Sequence, residues 1–231
     1  MIQIQDLSKQ YQNNNVLHIE ELHIPKGECF GLVGNNGAGK TTLFSLLLDL
    51  IEPTTGQAHI ADIHVASSED WKAFTSSFLD DSFLISYLTP EEYFYFIGSL
   101  RNWDKEQVDE FLLQFTDLFN GEVVGRNRYI RDLSKGNAKK VGIVGALIGN
   151  PELIILDEPF ANLDPSTQIR LKQFLKNYIQ TKQTTLLISS HDLQHTVDVC
   201  DRIVLLDKGM VIKDTPTTET TLQELEMFFA G

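Results

Sequence analysis

Residues 28–50 read ECFGLVGNNGAGKTTLFSLLLDL. The run ECFGLVG is a short apolar strand that stops at Gly34. TTLFSLLLDL is a helix with an apolar majority, ended before Pro53. Between them GNNGAGKT, residues 34–41, fits G-x-x-x-x-G-K-[ST] with the required strand before and helix after. Gly34, Gly37 and Gly39 permit tight backbone turns, so successive N–H groups converge on phosphate oxygens. The helix that follows adds the positive end of its dipole. Lys40 is placed to bridge the β- and γ-phosphates, Thr41 to offer its hydroxyl to Mg²⁺, and Thr42 to reach the α-phosphate.

Outward from this loop, alternation in MIQIQDL and VLHIEELHI predicts half-exposed antiparallel strands before it. TTGQAHIADIHVA predicts a turn and another strand. From about residue 80 to 150 the pattern becomes helical. EEYFYFIGSLRNW, KEQVDEFLLQFTDLF and SKGNAKKVGIVGALIGN each carry helical spacing, the last closed by Gly149, Asn150 and Pro151. The strand LIILDE, helix PSTQIRLKQFLKNYIQ and strand TTLLISSH then restore strand–helix alternation. DRIVLLDKGMVIKD predicts a hairpin turning at Lys208–Gly209, and TTLQELEMFFAG a short final helix. Buried apolar strands alternating with helices indicate a mostly parallel α/β core, with the helical block inserted as a subdomain.

The 231 residues carry 19 Lys plus Arg and 32 Asp plus Glu, a net charge of −13. That balance disfavours a protein that works by coating a nucleic-acid backbone, and no nucleic-acid partner is expected. It leaves room for a local anion site built from backbone amides. Cys29 and Cys200 lie in apolar surroundings and read as free core thiols in a reducing compartment. No run has the ~18 apolar residues of a membrane span, and the N-terminus has no signal pattern. The chain is therefore expected neither to be exported nor to cross a membrane by itself.

LIILDEP, residues 153–159, puts Asp157 and Glu158 at the C-terminal end of a buried strand, where ligands of open α/β sheets bind. Asp157 would hold the Mg²⁺ shell through water, and Glu158 would deprotonate an attacking water as general base. LSKGN, residues 133–137, opens a helix at Ser134, whose hydroxyl and neighbouring amides suit either an ordinary cap or an anion.

The order of these motifs, with ANLD at 161–164 and His191 after TTLLISS, resembles the nucleotide-binding subunit of an ABC transporter over nearly the whole chain. The resemblance implies a P-loop NTPase of α/β class: a RecA-like core with an N-terminal antiparallel β subdomain and an inserted α-helical subdomain. It implies one ATP-binding domain over 1–231, the core being 1–79 and 151–231 and the helical part about 80–150. Gly34, Asn35, Asn36, Gly37, Ala38, Gly39, Lys40, Thr41 and Thr42 would bind ATP, with Tyr11 stacked on adenine. Catalysis would fall to Glu158, His191 and Lys40, and Mg²⁺ to Thr41 and Asp157. Leu133, Ser134, Lys135, Gly136 and Asn137 resemble the signature that serves the ATP of an opposite subunit, and Asp164 the acidic D-loop position. A dimer of ATP-binding subunits, homo- or heteromeric, would then drive an integral membrane permease from the cytoplasmic face of the membrane.

Two departures stand out. The signature has Lys135 and Asn137 where Gly and Gln are usual, a variant that export-type members resemble. At the Q-loop position SFLDDSF supplies Asp81 (or Asp80), a carboxylate that cannot donate as an amide does. A soluble ATPase of the same family, acting in translation or DNA repair, and a small-molecule phosphotransferase are the competing readings. Among weaker signals, HDLQH at 191–195 only approximates a zinc-binding HExxH. Tyr11 is either the adenine stack or a packed loop aromatic. Lys139 and Lys140 are either a solvated face or positive charge behind the signature. Tyr93, Phe94, Tyr95, Phe96 and Trp103 are mostly core, with a minority left for a partner's groove. Gly142 and Gly145 weaken their helix unless close packing compensates.

Overall fold

The computed structural model describes residues 1–12 and 14–230. Its strands are β1 (Ile2–Tyr11), β2 (Asn14–Ile24), β3 (Cys29–Val33), β4 (Thr55–Ile60), β5 (Ile63–His64), β6 (Thr75–Phe78), β7 (Leu153–Leu156), β8 (Thr185–Ser190), β9 (Arg202–Asp207) and β10 (Met210–Pro216). Its helices are α1 (Lys40–Leu47), α2 (Pro90–Leu100), α3 (Lys105–Leu113), α4 (Thr116–Phe119), α5 (Lys135–Leu147), α6 (Pro165–Lys182), α7 (Leu193–Val199) and α8 (Thr221–Ala230). The expected final helix forms as α8, and Gly231 lies outside the described residues.

Two sheets organise these elements. One is antiparallel in the order β2-β1-β4-β5, and the other runs β10-β9-β3-β8-β7-β6. In the second, β9, β3, β8, β7 and β6 are parallel neighbours, and only β10 runs against its partner. The β7 sequence LIIL is buried at every position because both faces of a parallel sheet are covered. Period-two alternation sorts its side chains. Leu153 and Ile155 pack with α1 and the antiparallel sheet. Ile154 and Leu156 pack with the helices that the chain inserts between β6 and β7.

The strand order places the motifs. β3, β8 and β7 are adjacent, with Val33 opposite Ser190 and Leu156 opposite Ile188. The phosphate loop, His191 and the Asp157–Glu158 pair therefore emerge side by side from one edge of the sheet. The hairpin between β9 and β10 turns at Lys208 (φ 46°) and Gly209 (φ 80°), the two positive-φ residues that a tight hairpin turn requires.

Two predicted elements differ in detail. KEQVDEFLLQFTDLF forms α3 and α4 with a tightened turn between them, where Gln114 and Phe115 donate backbone hydrogen bonds three residues back. Fully buried Phe115 packs there against Phe174 at 4.5 Å between ring centroids. The strand β6 is absent from the sequence reading. Its residues, TSSF, show no apolar pattern, and pairing with β7 alone makes them a strand.

The weak helix formers of α5 have their compensation. A Cβ built on Gly142 would overlap the Phe78 ring, and one on Gly145 would stand 2.7 Å from Tyr93 Cε1. Gly142→Ala is expected to lower the melting temperature. Helix propensity favours Ala by about 1 kcal/mol, but overpacking costs about 1–3 kcal/mol when the neighbour is a core ring held between sheet and helix. Thermal denaturation checks this, and a melting temperature at or above that of the parent would show that Phe78 yields.

Candidate active site

The phosphate loop is shaped by what it cannot hold. A side chain at Gly34 would overlap the Leu206 carbonyl of β9. Gly37 and Gly39 have φ of 82° and 108°, in the region that L side chains rarely adopt. Gly39 is the N-cap of α1, supplies no capping side chain, and no acidic residue occupies the first turn. The amides at this helix start thus remain available to an anion. The β9–β10 turn braces the loop: Gly209 N–H donates to the Ala38 carbonyl at 2.9 Å, and His18 N–H donates to the Gly209 carbonyl at 2.7 Å.

Lys40 is 6% exposed and folds back over the loop. Its Nζ donates to the Gly34 carbonyl at 2.7 Å and the Asn35 carbonyl at 3.4 Å, and lies 3.4 Å from Glu158 Oε1. The other Glu158 oxygen, Oε2, is 2.8 Å from His191 Nδ1. A carboxylate only accepts, so Nδ1 carries the proton in this bond. The glutamate is held at both oxygens, by the first residue of α1 and by the residue that follows β8. It also occupies the left-handed region, φ 48°, and its N–H donates to Ser189 Oγ at 2.9 Å.

Thr41 Oγ1 donates to Asp157 Oδ2 at 2.5 Å, and Ser189 Oγ donates to Asp157 Oδ1. Burial pushes the Asp157 carboxyl above its ordinary pKa, against the opposing effect of these two hydroxyl donors. A hydroxyl and a carboxylate meeting at the foot of the phosphate loop form a hard-oxygen donor set of the kind Mg²⁺ takes. The cavity beside them, about 210 Å³, is lined by Val16, the loop from Asn36 to Thr42, and Glu158.

Other predicted residues lie elsewhere. Ser134 caps α5 by accepting from Asn137 N–H at 3.2 Å, and none of Leu133 to Asn137 lines the cavity of their own chain. Gly136 is packed against the neighbouring ANLD loop: its Cβ would stand 3.0 Å from the Asn162 carbonyl. Asp164 caps α6. Hydrogen bonds from the Ser166 hydroxyl, then from Thr167, hold its carboxyl far below the ordinary range. Tyr11 is 50% exposed with Lys9 Nζ 5.1 Å from its ring centroid, and is outside the cavity lining. Asp80 caps the turn over residues 81–83 by accepting from Ser82 N–H at 2.8 Å, and Asp81 is the half-buried member of the pair.

His195 is on α7, packed 5.3 Å from the Phe160 ring and half-buried rather than a surface residue. The α7 helix starts at Leu193, so His191 and His195 do not share one helix. Cys29 and Cys200 are buried and free, as expected.

Sequence reading missed Ser189, which ties Asp157 to Glu158. The available signal was a pair of serines ending the otherwise apolar strand TTLLISS. It also left Lys139 and Lys140 open. Both are buried, so they are not a solvated face. Lys139 Nζ donates to the Glu158 carbonyl at 2.7 Å.

The family model described as ABC transporter matches residues 17–161, which span the phosphate loop, the signature and the acidic strand end. The chain belongs to the ABC transporter family. Bacitracin transport ATP-binding protein BcrA of Enterococcus faecalis is 32% identical over 230 residues, which is 95% of this chain and 70% of BcrA. Carnitine transport ATP-binding protein OpuCA of Listeria monocytogenes is 29% identical, over 94% of this chain and 55% of its own length. A solved ATP-binding subunit of an ABC transporter superposes with a TM-score of 0.84 over 100% of both chains, at 27% identity. The dimeric ATP-binding cassette MJ0796, solved with ADP and Pi, shares the fold: TM-score 0.82, 24% identity, covering 94% of this chain and 99% of that one. The P-loop α/β architecture expected from the motifs is thus that of an ABC ATP-binding cassette.

Proposed function

We propose that this cassette is a Mg²⁺-dependent ATPase, the motor subunit of an ABC transporter whose membrane-spanning part is an integral permease subunit. The carrying observation is the convergence of Lys40, Glu158 and His191 above the Thr41–Asp157 pair. With ATP bound, Lys40 exchanges the Gly34 carbonyl and Glu158 for the β- and γ-phosphates. The loop amides of Asn35 to Thr42 cradle the phosphate oxygens, and Tyr11 covers the adenine. Glu158 Oε1, released from Lys40, accepts a proton from water as its oxygen attacks the γ-phosphorus. The bond to the β–γ bridging oxygen breaks, leaving ADP and phosphate. His191 holds Glu158 through Nδ1 and turns its outer edge toward the γ-phosphate. Thr41 and Asp157 would hold Mg²⁺, which supplies charge neutralisation on the phosphates.

Ser134 and Gly136 serve the ATP of a second subunit, with Asp164 at the contact, which makes the working unit a dimer. Residues 80–150 serve as the helical subdomain and the remainder as the core. No helix among the described residues is long and apolar enough to cross a membrane, and we place the subunit on the cytoplasmic face. A groove of about 420 Å³, lined by Leu50, Trp71, Phe83 and Tyr93 and also by Lys72 and Arg101, offers the permease a seat of mixed polarity. Of the aromatic run 93–96, only Tyr93 lines it. The form of the LSKGN signature supports export as the direction.

The purified chain is expected to release phosphate from ATP into water, and chelation of Mg²⁺ to stop it. Phosphate appearing on an organic acceptor would overturn the reading, as would co-purification with ribosomes or DNA in place of a polytopic membrane protein. Asp157→Asn sharpens the test. The folded-state pKa of Asp157 is raised, so its ionised form costs stability above that pKa, and the cost is relieved as pH falls through it. The amide is expected to raise the melting temperature at neutral pH and to abolish Mg²⁺-dependent turnover. A variant that melts lower would show that the hydroxyl bonds outweigh the burial cost.

A further inference from the structure

Lys139, a buried ammonium, and Asp81, a half-buried carboxylate with one shielded oxygen, stand out as charged groups tied to no role above. Lys139 lies on α5 five residues beyond Ser134, is 9% exposed, and donates to the Glu158 carbonyl at 2.7 Å. That carbonyl belongs to a non-glycine residue at φ 48°, and it also accepts from the backbone N–H of Ala161 at 3.2 Å. The Lys139 bond is the charged one, and it comes from a different element. It helps keep the Glu158 peptide in a conformation that the residue does not prefer.

A buried ammonium needs nearby negative charge. Asp81 provides it from the turn after β6, the strand paired to β7. Its Oδ1 is shielded and has no hydrogen-bond partner among the described residues. No ion pair within 4.0 Å joins the two residues, so Asp81 acts on Lys139 through the field. Burial lowers the Lys139 pKa and Asp81 is the largest charge opposing that; burial raises the Asp81 pKa and Lys139 is likewise its largest opposing charge. Three segments meet here: the turn at 81, the first turns of α5 behind the signature, and the turn carrying Glu158.

We propose that Lys139 is a positioning residue for Glu158, anchored by Asp81, so that the signature helix sets the orientation of the general base. A carboxylate at position 81 cannot donate; the ammonium of Lys139 is the donor that makes it useful. Movement of α5, whose start serves the opposite ATP, is then transmitted to Glu158 of the same chain without touching the phosphate loop.

The inference rests on Glu158 acting as general base, and the test separates the two. In the full chain, Lys139→Gln is expected to lower kcat for ATP by about tenfold or more, the scale of one charge-assisted hydrogen bond. The KM for ATP should change by less than about twofold, because the bond bears on chemistry and not on ground-state binding. Asp81→Asn is expected to lower kcat in the same way by a smaller factor. The double variant should be no slower than Lys139→Gln alone, since Asp81 acts through Lys139. Full multiplication of the two single effects, or a KM that shifts as much as kcat, would overturn the proposal and indicate a merely structural role. If Lys139→Gln does not fold, Asp81→Asn alone carries the test through the same split. Loss of turnover in Glu158→Gln with unchanged kcat in Lys139→Gln defeats this inference only; retained turnover in Glu158→Gln defeats the assignment of the base itself.

Discussion

Glu158→Gln is expected to bind ATP, to hydrolyse it about 10²–10⁴-fold more slowly, the range set by removal of one general base, and to accumulate closed dimers. The amide is isosteric and keeps an oxygen for His191 Nδ1. It cannot take a proton from water at neutral pH. It also ends the ion pair with Lys40, 3.4 Å away in the nucleotide-free site, so the lysine is released toward phosphate at no electrostatic cost. ATP affinity should therefore be unchanged or higher while turnover collapses. Single-turnover phosphate release and size-exclusion chromatography with ATP check the two halves, and near-parental turnover would remove Glu158 from the mechanism.

Lys40→Ala is expected to weaken ATP binding by roughly 10²–10⁴-fold, from two charged hydrogen bonds at about 1.5–3 kcal/mol each. The structure adds a second expectation. Without nucleotide, Lys40 ties together the Gly34 and Asn35 carbonyls and neutralises Glu158. Alanine leaves the Glu158 carboxylate with His191 as its remaining partner among the described residues and leaves the Gly34 carbonyl without this donor. The variant should then melt lower even without ATP. Equilibrium binding with a fluorescent nucleotide and a thermal scan in its absence separate the two effects. A melting temperature equal to the parent's would show that the lysine matters only once phosphate arrives.

Much of this site was legible in the chain. Gly34 to Thr42 needed only glycine spacing and flanking periodicity, because the proposed binding is by backbone amides and the positive φ of Gly37 and Gly39 suits glycine. Asp157 and Glu158 were legible because an apolar strand that ends in two acids has few other uses. Ser189 and Lys139 were not. A serine at a strand end and a lysine on a helix are ordinary by themselves. Their meaning comes from Asp157 and Glu158, which lie 32 and 19 residues away in sequence. The strand β6 escaped for the same reason: TSSF has no pattern of its own, and β7 supplies its partner.

The sequence by itself determined the class of chemistry proposed and the residues proposed to meet phosphate, since these depend on local backbone conformation and on side-chain type. Tertiary structure decided what surrounds Glu158, the proposed general base. The order β3-β8-β7-β6 sets His191 beside Glu158, Ser189 beneath Asp157, and the Asp81 turn next to the turn that carries Glu158. Burial then fixed the electrical meaning of each group. In a one-dimensional pattern Lys139 is either surface charge or charge behind the signature, and it becomes a costly buried cation, opposed by the charge of Asp81 and bonded to the Glu158 carbonyl, only when α5 packs against the sheet.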